Sequence, residues 1–355
     1  MNSPLITEAI EALLGTSKQI PYTRISDGLI NYSFYIAHPA GQRFFLQQIN
    51  KTVFTQPEHI IGNLQLIYQA LQDRNSAALI AKPISFLNGH SVFCDSSGEY
   101  WRAADHIASK TFHQAEYPDQ IKQAVKSFAD FTRTLSDLDV RLLQPTLVGF
   151  HDLSLRYDQF LVAIEQGLPE RIRESEALIE ALLHRENYVT LYKEISNSPQ
   201  DFKQRVMHHD AKLSNLLFDQ AGKKVLAIAD LDTTMPGYFF SDLGDMIRSM
   251  VASCDENSGN SKKVNAIPAS YEMLYQNYVL TLQDQWTRAE QSLLHSAGLL
   301  MIYMQSLRFI TDHLNGDLYY QLQRPGQNKE RALHQYDLLC SLEELLKGKY
   351  QFSLR

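Results

Sequence analysis

Between residues 20 and 107, apolar and polar positions alternate in short runs, as they do in strands with one buried face. "SFYIA" and "RFFLQQI" flank "HPAGQ", where Pro39 and Gly41 suit a hairpin turn. One stretch breaks the alternation. Ile60, Ile61, Leu64, Ile67, Tyr68 and Leu71 recur at helical intervals, Pro57 lies in the first turn, and Thr55 and Glu58 have capping-box spacing. "SVFCDSSGEYWRAADHI" reads as a second hairpin turning at Asp95–Gly98. From about residue 118 the period lengthens to that of helices. Ile121, Val125, Phe128 and Leu135 form one stripe, and "EALIEALLHRE" and "SLLHSAGLLMIYMQSLRFI" read as long helices. Only "NLLFD" and "KVLAIAD", separated by the turn "QAGK", interrupt as strands, and "DENSGNSKK" (255–263) reads as a mobile loop. The pattern predicts an α+β chain. A small β-rich lobe with one helix spans 1–107, and a large, mainly helical lobe holding one polar hairpin spans 108–355.

Composition narrows the functions available. The 355 residues exceed one ordinary core, and 44% hydrophobic with 21% charged residues is an ordinary soluble balance. A net charge of −7 argues against nucleic acid as a partner, so an anionic ligand must be met by local cations or a metal. Cys94, Cys254 and Cys340 are far apart and odd in number, which suits neither a zinc site nor a disulfide framework and points to a reducing cytoplasm. No apolar run approaches the roughly 20 residues of a membrane span. "MNSPLITEAIEALLG" reads as a short amphipathic helix and not a signal peptide.

The chemistry concentrates in "VMHHDAKLSNLLFD" and "AIADLDTTMPG". His208, Asp210 and Asn215 give H-x-D-x-x-x-x-N, the spacing of a kinase catalytic loop. There an aspartate receives the hydroxyl proton and an asparagine five residues later holds Mg²⁺. Lys212 lies where an ammonium could neutralise the transferred phosphoryl group. Asp230 ends the following apolar strand and is a second candidate metal ligand. Asp230-x-Asp232 also matches an aspartyl-phosphatase nucleophile, but that fold needs alternating strands and helices afterwards, and the text after residue 240 is helical. His209-Asp210 suits a helical metal-dependent phosphohydrolase, yet His295, His313 and His334 show no paired spacing. Gly28 lies at a turn between strands, either an ordinary β-turn or a loop over phosphates. Asp242 precedes a helix and has the ordinary role of an N-cap, while Asp245 and Arg248 are spaced to pair on that helix.

With "DGLINYSFYI", "FLQQINKTVFTQPEHIIGNL", "YWRAADHI", "GFHDLSLR", "HHDAKLSNLLFD", "IADLDTTMPGYFFSDLGDMIRS" and "LRFITDHLNGDLYY", the chain resembles the aminoglycoside phosphotransferase and choline kinase superfamily, most of all the bacterial N-acetylhexosamine 1-kinases. These segments span about residues 27 to 320. The resemblance implies a protein-kinase-like bilobal fold, with ATP and Mg²⁺ as cofactors and a small-molecule acceptor. It implies Asp210 as catalytic base, Asn215 and Asp230 as metal ligands, Gly28, Leu29, Ile30 and Asn31 covering the phosphates, and a hinge near Ala104–Ile107. It implies that Asp242 supports the catalytic loop and that Arg308 and Tyr319 help bind a sugar. Two departures stand out. The strand that should carry the nucleotide-pairing lysine has Gln47 and Gln48 instead, leaving Lys212 or Lys51 to supply the charge and Glu58 without a cation. His209 stands where relatives commonly carry Asn or Gly.

The acceptor is read from the block Arg308 to Tyr320. Arg308 and Asp312 are four apart, so both can point into one cleft, Asn315 and Gly316 end the helix, and Tyr319 follows. Arg, Asp and Tyr suit a neutral polyol, here the anomeric oxygen of an N-acetylhexosamine. A cationic acceptor would favour carboxylates or an aromatic cage. The ordinary reading makes Arg308–Asp312 an exposed pair and Tyr319 a core residue. Asp232 is either a contact to metal or substrate or a solvated carboxylate. A kinase for another small alcohol (choline, ethanolamine or an aminoglycoside) and a nucleotide-binding pseudokinase are the remaining alternatives.

Overall fold

A computed structural model describes residues 4–354 apart from 19, 26–29 and 259–262, so part of the expected 255–263 loop lies outside the described residues. The chain divides into two units and enters the first three times: Met1–Thr111, Thr134–Val148 and Asn215–Pro236 form it. Phe112–Arg133, Gly149–Ser214 and Gly237–Arg355 form the second.

The first unit opens with α1 (Pro4–Leu14), then β1 (Tyr22–Ile25), β2 (Tyr32–Ala37), β3 (Arg43–Ile49), α2 (Pro57–Asp73), β4 (Pro83–Ile84), β5 (Phe93–Cys94) and β6 (Tyr100–Asp105). The strands pair antiparallel in the order β1-β2-β3-β6-β4, with β5 also on β6. Both expected hairpins are present. The Gly98 N–H donates to the Asp95 carbonyl at the second turn. Side-chain alternation gives the sheet two faces. Phe44, Leu46, Trp101 and Ala103 bury one face against Ile6, Ile10 and Leu13 of α1, where each buried Leu, Ile or Phe contributes about 1.5–3 kcal/mol. Ile49 on the other face packs with Phe54, Ile60 and Ile61 around α2.

The expected capping box on α2 does not form. Pro57 is the first helical residue, Gln56 is the N-cap with no side-chain bond, and Glu58 sits one position too early to reach back. Glu58 instead accepts from the Tyr100 hydroxyl, which raises that phenol. Asn63 on α2 is buried. Its amide donates to the carbonyls of Gln144 (2.7 Å) and Thr234 (3.0 Å), and its oxygen accepts from Gln144 N–H (2.8 Å). One asparagine thus ties two returning segments to the helix.

The second unit is helical. It contains α3 (Pro118–Thr134, whose last residue belongs to the first unit), α4 (Leu153–Gln166), α5 (Pro169–Glu174), α6 (Glu176–Leu183), α7 (Asn187–Ser196) and the short strand β7 (Arg205–Met207). The hairpin β8 (Leu216–Phe218) and β9 (Val225–Ile228) returns to the first unit, where bridges Ile80–Ile228 and Lys110–Phe218 hold it. The second unit then resumes with α8 (Phe240–Met250), α9 (Pro268–Thr281), α10 (Arg288–Leu293), α11 (Ser296–Leu314) and α12 (Gln327–Tyr350).

The expected single helix from Ser292 to Ile310 is broken. The Ser296 hydroxyl donates to the Leu293 carbonyl, and the His295 ring stacks on Tyr275 at 4.2 Å, so α10 and α11 part at Leu294–His295. α11 is nearly all buried and packs against α4, α8 and α12.

Glycine permits the closest of these approaches. A Cβ on Gly244 of α8 would stand 2.8 Å from the Met301 Cβ and closer still to the Ala297 carbonyl. Gly244→Ala is therefore expected to lower unfolding free energy by about 1–3 kcal/mol, measured in urea, while a neutral result would mean the helices can move apart.

Candidate functional site

The loop after β7 carries the expected base. β7 is buried, and the chain leaves it through His208 and His209, the latter in the left-handed region at φ 65°. That bend costs a non-glycine residue energy and needs support. Asp242, in the first turn of α8, supplies it. Its Oδ2 accepts from the His208 N–H (2.9 Å) and its Oδ1 from the His209 N–H (2.8 Å). The expectation of an N-cap at Asp242 fails, because Phe239 is the cap residue and the Asp242 carboxylate faces the loop. The support expected from the resemblance is what the geometry provides.

The His208 Nδ1 accepts from the Asp210 N–H (3.3 Å), and Phe128 meets its ring edge-on at 5.3 Å. The His209 ring fills the space that a Gly237 Cβ would need, since that atom would lie 2.5 Å from Nε2. Asp210 then projects with its side chain 25% exposed, 2.7 Å from the Lys212 ammonium. Asp245 and Arg248 pair as expected (2.8 Å), and Arg248 also reaches Glu256 (2.7 Å). Burial raises the Asp245 carboxyl, Arg248 opposes this, and the Asp210 charge adds to the rise.

In the first unit, Asn215 precedes β8, and its carbonyl accepts from the Ala229 N–H (2.9 Å), joining the two ends of the hairpin. Asp230 follows β9 in the left-handed region at φ 57° and is exposed. A carboxylate and an amide are hard oxygen donors, and few protein ligands suffice for a cation that also binds phosphates and water. No group of three or more His, Cys, Asp or Glu with metal-binding geometry occurs among the described residues. The donor set thus fits a divalent cation shared with a nucleotide, not a metal caged by protein.

Asp232 is 2% exposed, so the solvated-carboxylate reading does not hold. Its Oδ2 accepts from the Asn31 amide (2.6 Å), and its Oδ1 forms an ion pair with Arg102. Asn31 also accepts from the Asn50 N–H (2.9 Å), so its side chain links Asp232 to the chain just after β3. Gln47 faces Arg102 across β3 and β6. It donates to Ser33 (2.9 Å) and accepts from the Arg102 guanidinium. Lys51 is held by the Gly98 carbonyl (2.7 Å) and Glu99 (3.1 Å). Ile30 is exposed, and its carbonyl accepts from the Asn50 amide. Gly28 and Leu29 lie outside the described residues. Ala104 lies inside β6, paired with Phe45 and Pro83, so the connection expected around Ala104–Ile107 begins after Asp105 and contains only Ile107 of that pair.

The block from Arg308 to Tyr320, expected to bind the acceptor, divides. Arg308 lies over three rings, 5.0 Å from Phe150, 5.7 Å from Tyr320 and 6.0 Å from Tyr319, and donates to Gln305 (3.0 Å). Phe150 stacks on His151 (4.7 Å), which meets the His209 ring (4.9 Å). Phe150 and His151 were not singled out from sequence, because nothing in the linear pattern separates them from core aromatics. Asp312 does not join Arg308. Its carboxylate accepts from the N–H groups of Leu318, Tyr319 and Tyr320 (2.8–3.0 Å) and from Asn328 (2.8 Å). Gly316 (φ 98°) and Asp317 (φ 62°) reverse the chain after α11, so these donors converge on a carboxylate, a stronger bond than a neutral acceptor gives. Tyr319 is 62% exposed and not a core residue.

The model of the phosphotransferase enzyme family matches residues 21–261, more than half of the chain. The chain belongs to that family. It is accordingly a phosphotransferase of the small-molecule kinase type, using ATP and a divalent cation with a hydroxyl acceptor. Solved structures agree on the kinase-like fold. An aminoglycoside phosphotransferase from Alicyclobacillus acidocaldarius is 12% identical, with TM-score 0.66 over 99% of this chain and 98% of the other. An amicoumacin kinase in complex with AMP-PNP, Ca²⁺ and Ami is 13% identical, with TM-score 0.61 over 98% and 94%. A microcompartment-associated aminopropanol kinase is 12% identical, with TM-score 0.61 over 99% and 98%. The phosphatase alternative fails with this family and with the antiparallel sheet. Among the described residues no helix is long and apolar enough to cross a membrane.

Burial pushes the Asp242 carboxyl up to about 6, against the pull of His208 and the two backbone donors. The folded phosphotransferase therefore keeps a proton that an unfolded aspartate releases at about 3.9. Stability from this group is greatest below about 4 and falls by about 3 kcal/mol as pH rises through 6. Asp242→Asn removes the titration. The Tm of the parent minus that of the variant is expected to increase as pH falls from 6.5 to 4, and a constant difference would show that Asp242 does not titrate there.

Proposed function

We propose that this phosphotransferase transfers the γ-phosphoryl group of ATP to a neutral sugar, an N-acetylhexosamine at its anomeric oxygen. The observation that carries the reading lies within the second unit. The base Asp210 is followed outward through His209, His151 and Phe150 to Arg308, with Tyr319 and Tyr320 beside it. Aromatic faces stack on the apolar faces of a pyranose, and a guanidinium donates to its hydroxyl and acetamido oxygens. Arg308 and Arg156 both put positive charge here. Desolvation and Arg308 lower Arg156 to about 10, and burial drives His151 well below its usual value, keeping it neutral. A cationic acceptor would be repelled by the two arginines.

In this reading the Asp210 carboxylate holds the acceptor hydroxyl in line and takes its proton as the new phosphorus–oxygen bond forms and the bond to the ADP oxygen breaks. An anomeric hydroxyl is more acidic than an ordinary alcohol, so less proton affinity is asked of the base. Lys212 offers its ammonium to the charge on the transferred group. Asn215 and Asp230 would hold the divalent cation, which supplies charge neutralisation at the phosphate oxygens. Asp312 supports acceptor binding indirectly, by fixing the turn that carries Tyr319.

Asp210→Asn is expected to lower kcat by about 10²–10⁴-fold with AMP-PNP affinity nearly unchanged. Products from N-acetylglucosamine, N-acetylgalactosamine, glucose, choline and an aminoglycoside, read by phosphorus NMR, decide the acceptor. Arg308→Ala should raise KM for the preferred sugar about tenfold or more. Choline or an aminoglycoside as best acceptor, or an unaltered KM in Arg308→Ala, would sink the sugar assignment. Binding of AMP-PNP without turnover of any acceptor would favour a pseudokinase.

A further inference from the structure

The first unit lacks the strand lysine that would meet the nucleotide phosphates, and its sheet contains the replacement. Gln47 sits on β3 where that lysine is expected, and Arg102 is its direct partner on β6, so both side chains share one face. The Gln47 oxygen accepts from Nε and Nη2 of Arg102. A lysine at 47 would set an ammonium against this guanidinium, whereas glutamine turns its carbonyl towards it and its amide towards Ser33. The glutamine and the arginine are therefore one arrangement: the cation has moved one strand across.

The guanidinium is held at a fixed place. Its side chain is only 12% exposed and pairs with Asp232, two residues beyond Asp230 on the segment that Asn63 ties to α2. The Arg102–Asp232 contact is an ion pair without a well-directed hydrogen bond at Asp232 Oδ1. Nη1, with two N–H donors, bonds to no other group among the described residues. Lys51, the other small-lobe candidate, is occupied by Gly98 and Glu99 at the β5–β6 turn.

We infer that Arg102 is the phosphate-binding cation of the first unit. It would donate from Nη1 to the polyphosphate of the nucleotide, with Gln47 and Asp232 fixing its plane. A planar fork with two spare donors is suited to phosphate oxygens. This inference rests on the kinase reading above.

The test compares AMP-PNP with Mg²⁺ and adenosine as ligands, by calorimetry, on the full chain. Arg102→Met should weaken AMP-PNP about thirtyfold or more and leave adenosine within about twofold. Removing the arginine strands a buried carboxylate, so Arg102→Met with Asp232→Asn serves as the second variant and should show the same selective loss. Arg102→Lys should retain part of the AMP-PNP affinity. Equal loss for both ligands, or no loss for either, overturns the inference. Parent protein that binds AMP-PNP without dependence on Mg²⁺ overturns the kinase reading itself. Parent protein that binds and turns over normally, with variants keeping their triphosphate preference, overturns the role of Arg102 alone.

Discussion

The Asp242 carboxylate, with one oxygen on the His208 N–H and the other on the His209 N–H, is the interaction on which the loop after β7 depends. These are consecutive backbone donors in a buried bend, and without a shared acceptor each would lack compensation for lost water. A bidentate carboxylate fixes both peptide planes. That fixes the direction in which the next residue, Asp210, projects. Gly237 is part of the same constraint. The left-handed turn at His209 swings its imidazole into the space above Gly237, so the glycine is required by the ring that the bend displaces.

The same solution recurs in the first unit with different partners. Asp230 is forced into the left-handed region at the end of β9, and the chain that follows is anchored by the Asn63 amide at Thr234 and by Asn31 and Arg102 at Asp232. Both strained aspartate-bearing bends are supported by side chains distant in sequence. A strained loop keeps one geometry only when its surroundings over-determine it. Here polar groups do so, because only they can also satisfy the freed backbone.

Much of this was legible. Strand alternation gave both hairpins of the first sheet, and the helical stripe on α3 is buried as expected. The candidate catalytic segment stood out because its chemistry is local, with Asp210, Lys212 and Asn215 within six residues. What was not legible is cross-strand and cross-helix. The capping-box spacing at Thr55 failed because Pro57 shifted the helix start, while Thr287 and Glu290 form a real box. Asp242 reads as a cap until β7 is brought to it. Arg102 reads as a residue before a connection until the β3–β6 register sets it opposite Gln47.

How the protein disposes of its buried cations bears on what it binds. In the second unit Arg205 is matched by Glu290 and Arg248 by Asp245 and Glu256. An acidic chain has carboxylates to spare for this. Arg308 is treated differently. Its partners among the described residues are the Gln305 amide oxygen and three aromatic rings, none of which carries a formal charge. The carboxylate one turn away, Asp312, could have neutralised it, but four donors from the 318–320 backbone and Asn328 hold that group elsewhere. The charge of Arg308 is thus softened by ring faces and left uncancelled. Such a cation attracts oxygen-rich neutral or anionic groups and raises the energy of an ammonium nearby. In a protein of net charge −7, this guanidinium is left without a carboxylate although acids are plentiful, which is the feature the proposed acceptor assignment draws on.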